Sequence, residues 1–245
     1  MLDSIFFSEN GYVVSEKLLD THELENIREI YNLFLENKIE VGNARSDLSG
    51  LSNAKEKTEK ITQIMRPSYF YPELAQFAVY TKALNLAKSL LGNDMALDFD
   101  MLIDKSPYTN TPTPWHQDEA YWIEMEDKRA ATCWIALDEV FKENGCMWFV
   151  PGSHKLEIRK HTQTGLKGAL QCEAKEEEAT AVKLKAGDCT FHDGRTIHYS
   201  SGNETSFHRR ALILNFRPEK MIQFERQNGF NHLGAREVRN KKAVN

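Results

Sequence analysis

The sequence predicts a mainly β protein with flanking α-helices, built as a sandwich or jelly roll. Helical periodicity ends near residue 92, and from residue 96 onward short apolar runs alternate with turns. Several of these turns carry strong Gly and Pro signals, including Asn144-Gly145, Pro151-Gly152 and Gly187-Asp188. Many short strands separated by such turns are typical of these two architectures.

We expect the 245 residues to form a single domain, with a helical N-terminal part over about 15–92 and a jelly-roll core over about 96–218. A hydrophobic content of 41% and a charged content of 27% are ordinary for a globular protein. The net charge of −5 offers no basic surplus for nucleic acid, and no apolar run is long enough to span a bilayer.

The cysteine pattern and the two termini predict a cytoplasmic protein. The N-terminus lacks the basic and apolar regions of a signal peptide, and the C-terminal Lys-Lys-Ala-Val-Asn is not a peroxisomal address. The cysteines are scattered without a C-x-x-C pair, which favours reduced thiols over a disulfide framework. They are Cys133, Cys146, Cys172 and Cys189.

The N-terminal part is predicted to contain one strand followed by two helices. Gly11-Tyr-Val-Val is the strand, and Asp20 is a plausible N-cap for the first helix. The second helix begins near Pro72 and stops at Gly92, a natural C-terminal signal, while the polar residues 41–60 are predicted to be a loop. The apolar stripes of the two helices are Leu24, Ile27, Ile30, Tyr31 and Phe34, then Leu74, Phe77, Leu84, Leu90 and Leu91.

Seven strands are predicted after residue 96, with a long excursion over 155–180 between them. The acidic run Glu176-Glu177-Glu178 within that excursion is interpreted as a solvated face. The predicted strands are Leu97–Ile103, Ala130–Leu137, Cys146–Val150, Ala181–Leu184, Cys189–His192, Thr196–Ser200 and Ala211–Phe216.

A candidate metal site begins with His116 and Asp118. Side chains alternate faces along a strand, so this spacing points both toward one ion, although the pair by itself is a weak signal. His198, on a predicted strand with Ser200 on the same face, is the candidate third ligand; taken alone, a hydrogen-bonded core histidine would be the better interpretation. Two imidazoles and one carboxylate can occupy one face of an octahedral Fe(II) ion and leave the other open. A closed structural zinc site is disfavoured because no cysteine has ligand spacing.

Ordered blocks over roughly residues 95–218 resemble the phytanoyl-CoA dioxygenase family. They are Thr113-Pro-Trp-His-Gln-Asp118, Trp134-Ile-Ala-Leu-Asp138, Glu143-Asn-Gly-Cys-Met-Trp-Phe-Val-Pro-Gly-Ser-His154, and Gly187-Asp188 leading to His198, Ser200 and Arg209-Arg210-Ala211. The resemblance implies a double-stranded β-helix of the cupin-like jelly-roll type, with Fe(II) and 2-oxoglutarate as cofactor and co-substrate. It also implies that His116, Asp118 and His198 bind the iron.

The same resemblance assigns residues to the co-substrate. Arg209 matches the residue that binds the distal carboxylate of 2-oxoglutarate, and a guanidinium offers a planar, permanently charged fork for that group. Strand alternation turns the neighbouring Arg210 to the other face, and Arg210 is the alternative if the register differs by one. The other positions implied for the co-substrate pocket are Lys105, Trp134, Ser200 and Met101.

Other aromatic and histidine residues carry weaker interpretations. Trp115, Tyr121 and Trp122 are candidates for a substrate mouth, with packing at a barrel rim as the equal alternative. His192 precedes a turn and matches no ligand position. His154 is interpreted as turn architecture. Four further histidines are predicted to lie on the surface, namely His22, His161, His208 and His232.

The predicted activity is an Fe(II)- and 2-oxoglutarate-dependent hydroxylation of a small molecule, with O₂ consumed and succinate and CO₂ released. Asp118 disfavours halogenation, because the halogenases of the family leave that position to a small residue. One alternative is a cupin-type metal enzyme that uses no oxo-acid, against which Arg209 argues. A second is a non-catalytic metal- or metabolite-binding module, against which the intact triad argues. The substrate stays open between an acyl-CoA and a small metabolite.

Overall fold

Two antiparallel β-sheets form the body of the protein, in a computed structural model that describes residues 2–49, 59–164, 169–234 and 238–244. The strands are β1 (Tyr12–Ser15), β2 (Arg45–Asp47), β3 (Ile61–Met65), β4 (Met95–Lys105), β5 (Thr113–His116), β6 (Ala131–Ala136), β7 (Met147–Phe149), β8 (Thr162–Gln163), β9 (Leu170–Gln171), β10 (Thr180–Val182), β11 (Cys189–Asp193), β12 (His198–Ser200) and β13 (Arg209–Pro218). The helices are α1 (Ser4–Asn10), α2 (Thr21–Leu35), α3 (Pro67–Phe70), α4 (Ala78–Leu91) and α5 (Glu219–Gln227).

The larger sheet has seven strands in the order β1-β11-β6-β13-β4-β3-β2, and the smaller has four in the order β10-β7-β12-β5. Among the described residues, strands β8 and β9 pair only with each other, within the predicted excursion. This arrangement is a double-stranded β-helix, so the predicted jelly-roll class is confirmed. Helix α4 packs across β4, β6 and β13, which covers the outer face of the larger sheet.

Side chains along β13 alternate between the two faces of the larger sheet. Arg209 and Ile213 point to the inner face and line a cavity between the sheets. Arg210 points outward, where its guanidinium donates to both carboxylate oxygens of Asp138 at 3.0 and 2.8 Å and to Asn32 of α2 at 2.9 Å. The prediction that the two arginines lie on opposite faces is therefore confirmed.

Two predicted helix boundaries are confirmed by their caps. The Asp20 carboxylate accepts a hydrogen bond from the Glu23 amide at 2.8 Å and begins α2. Gly92 ends α4 with φ of 119°, a conformation that disfavours residues with a Cβ. The second helix differs from its prediction: Pro72–Gln76 is a 3-10 turn, and α4 itself begins at Ala78.

The predicted loop over 41–60 and the helical description of residues 15–92 are partly wrong. Arg45–Asp47 forms an edge strand beside Ile61–Met65, which is buried throughout and pairs with β4. Part of that predicted loop, residues 50–58, lies outside the described residues. Strand β3 lacks alternation because both of its faces are covered, so its sequence carries no period-2 signal. Three helices were also missed, namely α1, α3 and α5.

A buried ionic cluster ties α5 and the residues after it to the larger sheet. Arg217 of β13 donates to Asp98 of β4 and to Glu225 of α5. His232 lies 2.8 Å from a carboxylate oxygen of Glu225, and Arg239 donates to the other oxygen at 3.0 Å. His232 was predicted to lie on the surface, but it is buried and stacked on the ring of Phe99. No helix in the described parts of the chain combines the length and apolar character needed to cross a membrane.

Replacing Arg217 with Met should destabilise the protein, because two buried carboxylates would lose their shared cation. We expect a loss of about 3 kcal/mol or more in the free energy of unfolding, measured by chemical denaturation. Lys38→Ala removes an exposed ion pair with Glu36 and should leave stability near that of the wild type. Equal stability of the two variants would contradict the structural role of the cluster.

Acid should weaken the same cluster. Burial opposes ionisation of Glu225, but the contacts with His232 and Arg217 outweigh it and lower the pKa of Glu225 from 4.5 to about 2. A lowered folded-state pKa contributes stability above the unfolded value, and this contribution is lost as the pH falls from 4.5 to about 2. Unfolding measured across this window should therefore show a shallower decline for Glu225→Gln than for the wild type. The exposed control Glu177→Gln should keep the wild-type slope.

Candidate active site

Three potential metal ligands meet between the two sheets. His116 ends β5 and His198 begins β12, and the two residues are directly opposite each other in the antiparallel pair. Asp118 begins the 3-10 turn Asp118–Tyr121 that follows β5. The Asp118 Oδ1 atom lies 3.8 Å from Nε2 of His116 and 4.0 Å from Nε2 of His198. The predicted convergence of these side chains is confirmed, and all three are buried.

Backbone carbonyls orient both imidazoles. Nδ1 of His116 lies 2.8 Å from the Pro114 carbonyl oxygen, and Nδ1 of His198 lies 2.9 Å from that of Thr196. A carbonyl oxygen only accepts, so each Nδ1 carries the proton and each Nε2 presents a lone pair to the centre. Burial, together with the nearby rings of His116 and His192, holds the pKa of His198 well below its usual value and keeps that ring neutral.

The second oxygen of Asp118 faces the larger sheet. Oδ2 accepts a hydrogen bond from the Thr132 hydroxyl at 3.0 Å and lies 3.4 Å from Nε2 of His192. The Thr132 hydroxyl in turn accepts a hydrogen bond from the Asn215 amide at 2.9 Å. The carboxylate therefore faces the pair of histidine ligands with one oxygen and a row of polar side chains of the larger sheet with the other.

Gln117 anchors the chain between the two ligands. Its amide donates to Nε2 of His161 at 3.1 Å, and its side chain donates to the Arg195 carbonyl and accepts from the Arg159 amide. His161 was predicted to lie on the surface, yet it is fully buried, and its own amide donates to the Ala243 carbonyl at 3.0 Å. The C-terminal residues thus hold His161, which holds the ligand-bearing segment.

A cavity between the two sheets adjoins the three ligands. Its walls come from both sheets and are mainly apolar. The lining residues are Leu48, Met101, Ile103, Thr113, His116, Asp118, Thr132, Trp134, Met147, His192, His198, Tyr199, Ser200, Arg209 and Ile213. Met101, Trp134, Ser200 and Arg209, each implied for the co-substrate by the family resemblance, all lie in this wall.

Arg209 places a positive charge in the cavity. Its guanidinium lies 5.2 Å from the ring of Trp134, and the side chain is only 1% exposed. Within the described residues, its Nε and Nη1 atoms have no hydrogen-bond partner. Burial lowers the pKa of Arg209, although the carboxylate of Asp104 opposes that shift. A buried, incompletely satisfied guanidinium is costly, and a carboxylate ligand would supply what it lacks.

Lys105 does not occupy the position expected for it. It pairs with Arg209 across β4 and β13, but its ammonium donates to the carbonyl oxygens of Thr111, Ser200 and Ser201. These contacts use all three of its protons and fix the loop after β12. Burial and the charge of Arg209 hold the pKa of Lys105 well below its usual value. Lys105 therefore supports the wall and lies outside the cavity lining.

The three aromatic candidates for a substrate mouth pack into the protein instead. Trp115 stacks on Tyr199, with ring centroids 4.7 Å apart. The Tyr121 hydroxyl accepts a hydrogen bond from the Leu170 amide at 2.7 Å, and the edge of one ring faces the other in the contact between Tyr121 and His116. Trp122 is buried beneath the guanidinium of Arg217. Their alternative interpretation, packing at the rim, matches these contacts.

Three polar residues of the site were missed or set aside. His192 was set aside, but it is buried beside Asp118 and lines the cavity. Thr132 and Asn215 were not singled out. Alternation could have found both, because Thr132 shares a strand face with Trp134, and Asn215 shares one with Arg209. No comparable local signal marked His192.

A second cluster of potential ligands fits a metal poorly. Donor atoms of Asp98, Glu225 and His232 also lie within 4.8 Å of one another. Arg217 donates to both carboxylates of this cluster, however, and Arg226 donates to Asp98. These guanidinium groups already supply the positive charge that a cation would bring. The arrangement is therefore an ionic network within the protein.

The donor set of the first cluster and its neighbouring guanidinium are those of a non-haem iron site with an anion-binding pocket. Comparison with known proteins gives the same class. Residues 7–211 match the family described as phytanoyl-CoA dioxygenase (PhyH), so this chain belongs to that family. Its members are Fe(II)- and 2-oxoglutarate-dependent dioxygenases, and this protein is an enzyme of that class.

The individual relatives have low sequence identity to this chain but align with most of its length. A probable phytanoyl-CoA dioxygenase of Caenorhabditis elegans is 24% identical over 89% of this chain and 75% of its own. A probable alpha-ketoglutarate-dependent hypophosphite dioxygenase of Stutzerimonas stutzeri is 25% identical, over 86% of this chain and 76% of its own. The crystal structure of EvdO2 from Micromonospora carbonacea var. aurantiaca superposes with a TM-score of 0.75, at 27% identity, over 87% of this chain and 89% of its own. EvdO2 has also been crystallised with 2-oxoglutarate.

Proposed function

We propose that His116 and His198 bind Fe(II) through Nε2 and that Asp118 binds it through Oδ1. We propose further that Arg209 binds the distal carboxylate of 2-oxoglutarate in the adjoining cavity. The observation that carries this proposal is the shared cavity: three convergent metal donors line the same space as a buried guanidinium that has unused hydrogen-bond donors within the described residues. The donor types match those that Fe(II) accepts in oxygenases.

The bound iron and 2-oxoglutarate would supply the oxygen chemistry, in which the oxo-acid is oxidatively decarboxylated to succinate and CO₂. The protein's own residues position the reactants. His116, Asp118 and His198 would hold the ion from one side, and co-substrate, oxygen and substrate would then approach it from the other. Met101, Trp134 and Ile213 form an apolar wall that limits the access of water to the co-substrate.

The product is proposed to be a hydroxylated small organic molecule. Asp118 fills the third ligand position with a carboxylate, so a halide has no vacant protein position to occupy. The relatives described above bear names that refer to an acyl-CoA and to hypophosphite, so membership of the family leaves the substrate class open.

Asp118→Ala tests the metal assignment. Loss of the anionic ligand should weaken Co(II) or Fe(II) binding by at least about a hundredfold, because changes to residues that merely support a ligand already cost about 10–100-fold. Anaerobic titration of the apoprotein measures this directly. Glu177→Ala, which removes a carboxylate from an exposed turn, is the control. Metal affinity unchanged in Asp118→Ala would rule out the assignment.

Arg209→Ala tests the co-substrate assignment. A charged, bidentate contact contributes roughly 1.5–3 kcal/mol, so the 2-oxoglutarate requirement should rise about ten- to a hundredfold. Metal affinity should change little, and Arg209→Lys should recover only part of the loss because an ammonium lacks the planar fork. Arg210→Ala is the matched control, since that side chain binds Asp138 on the opposite face. A defect in Arg210→Ala alone would contradict the assignment.

Aerobic incubation with Fe(II) and labelled 2-oxoglutarate tests the activity as a whole. Succinate should form, its rate should rise when a metabolite panel contains a substrate, and the Asp118→Ala protein should form none. Metal binding without any release of succinate across the panel would favour the alternative of a binding module. A metal-dependent reaction that proceeds without the oxo-acid would favour the cupin-type alternative.

A further inference from the structure

A row of three polar side chains crosses the inner face of the larger sheet directly behind Asp118. Thr132 on β6 is the Cα partner of His192 on β11 and of Asn215 on β13. Adjacent strands therefore place these side chains next to one another, on a face whose other cavity-lining residues are mainly apolar. All three side chains are buried.

The two oxygens of Asp118 face opposite ways. Oδ1 lies 3.8 and 4.0 Å from the Nε2 atoms of His116 and His198, on the side of the metal donors. Oδ2 accepts the Thr132 hydrogen bond at 3.0 Å and lies 3.4 Å from Nε2 of His192. One oxygen is thus directed to the ion and the other is held against the sheet.

The direction of the hydrogen bonds is determined by the chemistry of the row. The amide nitrogen of Asn215 can only donate, so the Thr132 hydroxyl oxygen accepts from it at 2.9 Å. The hydroxyl proton is then available to the Asp118 carboxylate, which can only accept. Asn215 therefore directs the Thr132 proton toward Oδ2.

We propose that this row makes Asp118 a ligand through one oxygen only. Thr132 and Asn215 are positioning residues, and His192 fills the space beside Oδ2. A carboxylate without this support can rotate and offer both oxygens to the ion, which would occupy a coordination position that the open side needs for the co-substrate, oxygen or substrate. This inference rests on the proposed function, because it takes Asp118 as a ligand.

Thr132→Val is the decisive variant, since it removes the hydroxyl and keeps the side-chain shape. Thr190→Val is the matched control: it makes the same change on the neighbouring strand β11, where the buried Thr190 hydroxyl has no hydrogen-bond partner among the described residues. Thr132→Ser keeps the hydroxyl. Co(II) is the probe, because titration of the apoprotein reports affinity and its visible spectrum reports the coordination number.

Thr132→Val should weaken Co(II) binding by about tenfold or more and change the spectrum of the bound ion. Thr132→Ser and Thr190→Val should keep the wild-type affinity and spectrum. Equal affinities and spectra for Thr132→Val and Thr190→Val, with the Asp118→Ala defect intact, would overturn this inference and leave the proposed function standing. Wild-type affinity in Asp118→Ala would overturn both.

Asn215→Leu provides an independent variant should Thr132→Val not fold. Without the amide donor, the Thr132 hydroxyl is free to turn away from Oδ2. Co(II) affinity should therefore fall, by less than in Thr132→Val, and the spectrum should shift in the same direction. A folded Asn215→Leu protein with wild-type affinity and spectrum would overturn the proposed role of the row.

Discussion

The antiparallel pairing of β5 with β12 is the constraint on which the site depends. It sets His116 directly opposite His198 and leaves Asp118 to follow at the end of the strand. Because side chains alternate, a slip of one residue in either strand would turn a histidine away from the centre. The ligand-bearing segment is held by distant parts of the chain as well, through Gln117, the buried ring of His161 and the C-terminal residues.

Two adjacent arginines show how the fold separates stability from function. Arg210 is satisfied by Asp138 and Asn32 on the outer face, where it ties the sheet to α2. Arg209, one residue earlier, keeps unused donors in the buried cavity, within the part of the chain that the structure describes. A charge left incompletely paired in the interior opposes folding, and such local costs concentrate where a ligand completes the interaction.

The two buried carboxylate clusters, one around Asp98 and Glu225 and the other around Asp118, are surrounded by different groups. Around Asp98 and Glu225, three arginines neutralise the carboxylates and connect α5 to the sheet. Around Asp118, the imidazoles of His116 and His192 and the Thr132 hydroxyl face the carboxylate oxygens and orient the group. The first arrangement is an ionic network within the protein, whereas the donors around Asp118 are of the types that a metal ion accepts.

The sequence by itself determined the class of fold, the spacing of His116 and Asp118, and the face on which Arg209 lies. Each of these follows from local periodicity or from a motif, because alternation along one strand needs no knowledge of its neighbours. Only the tertiary structure brought His192 beside Asp118 and assigned Lys105 to three carbonyl oxygens. Strand register and the packing of distant segments decide which side chains meet, and neither is written into the period of a single strand.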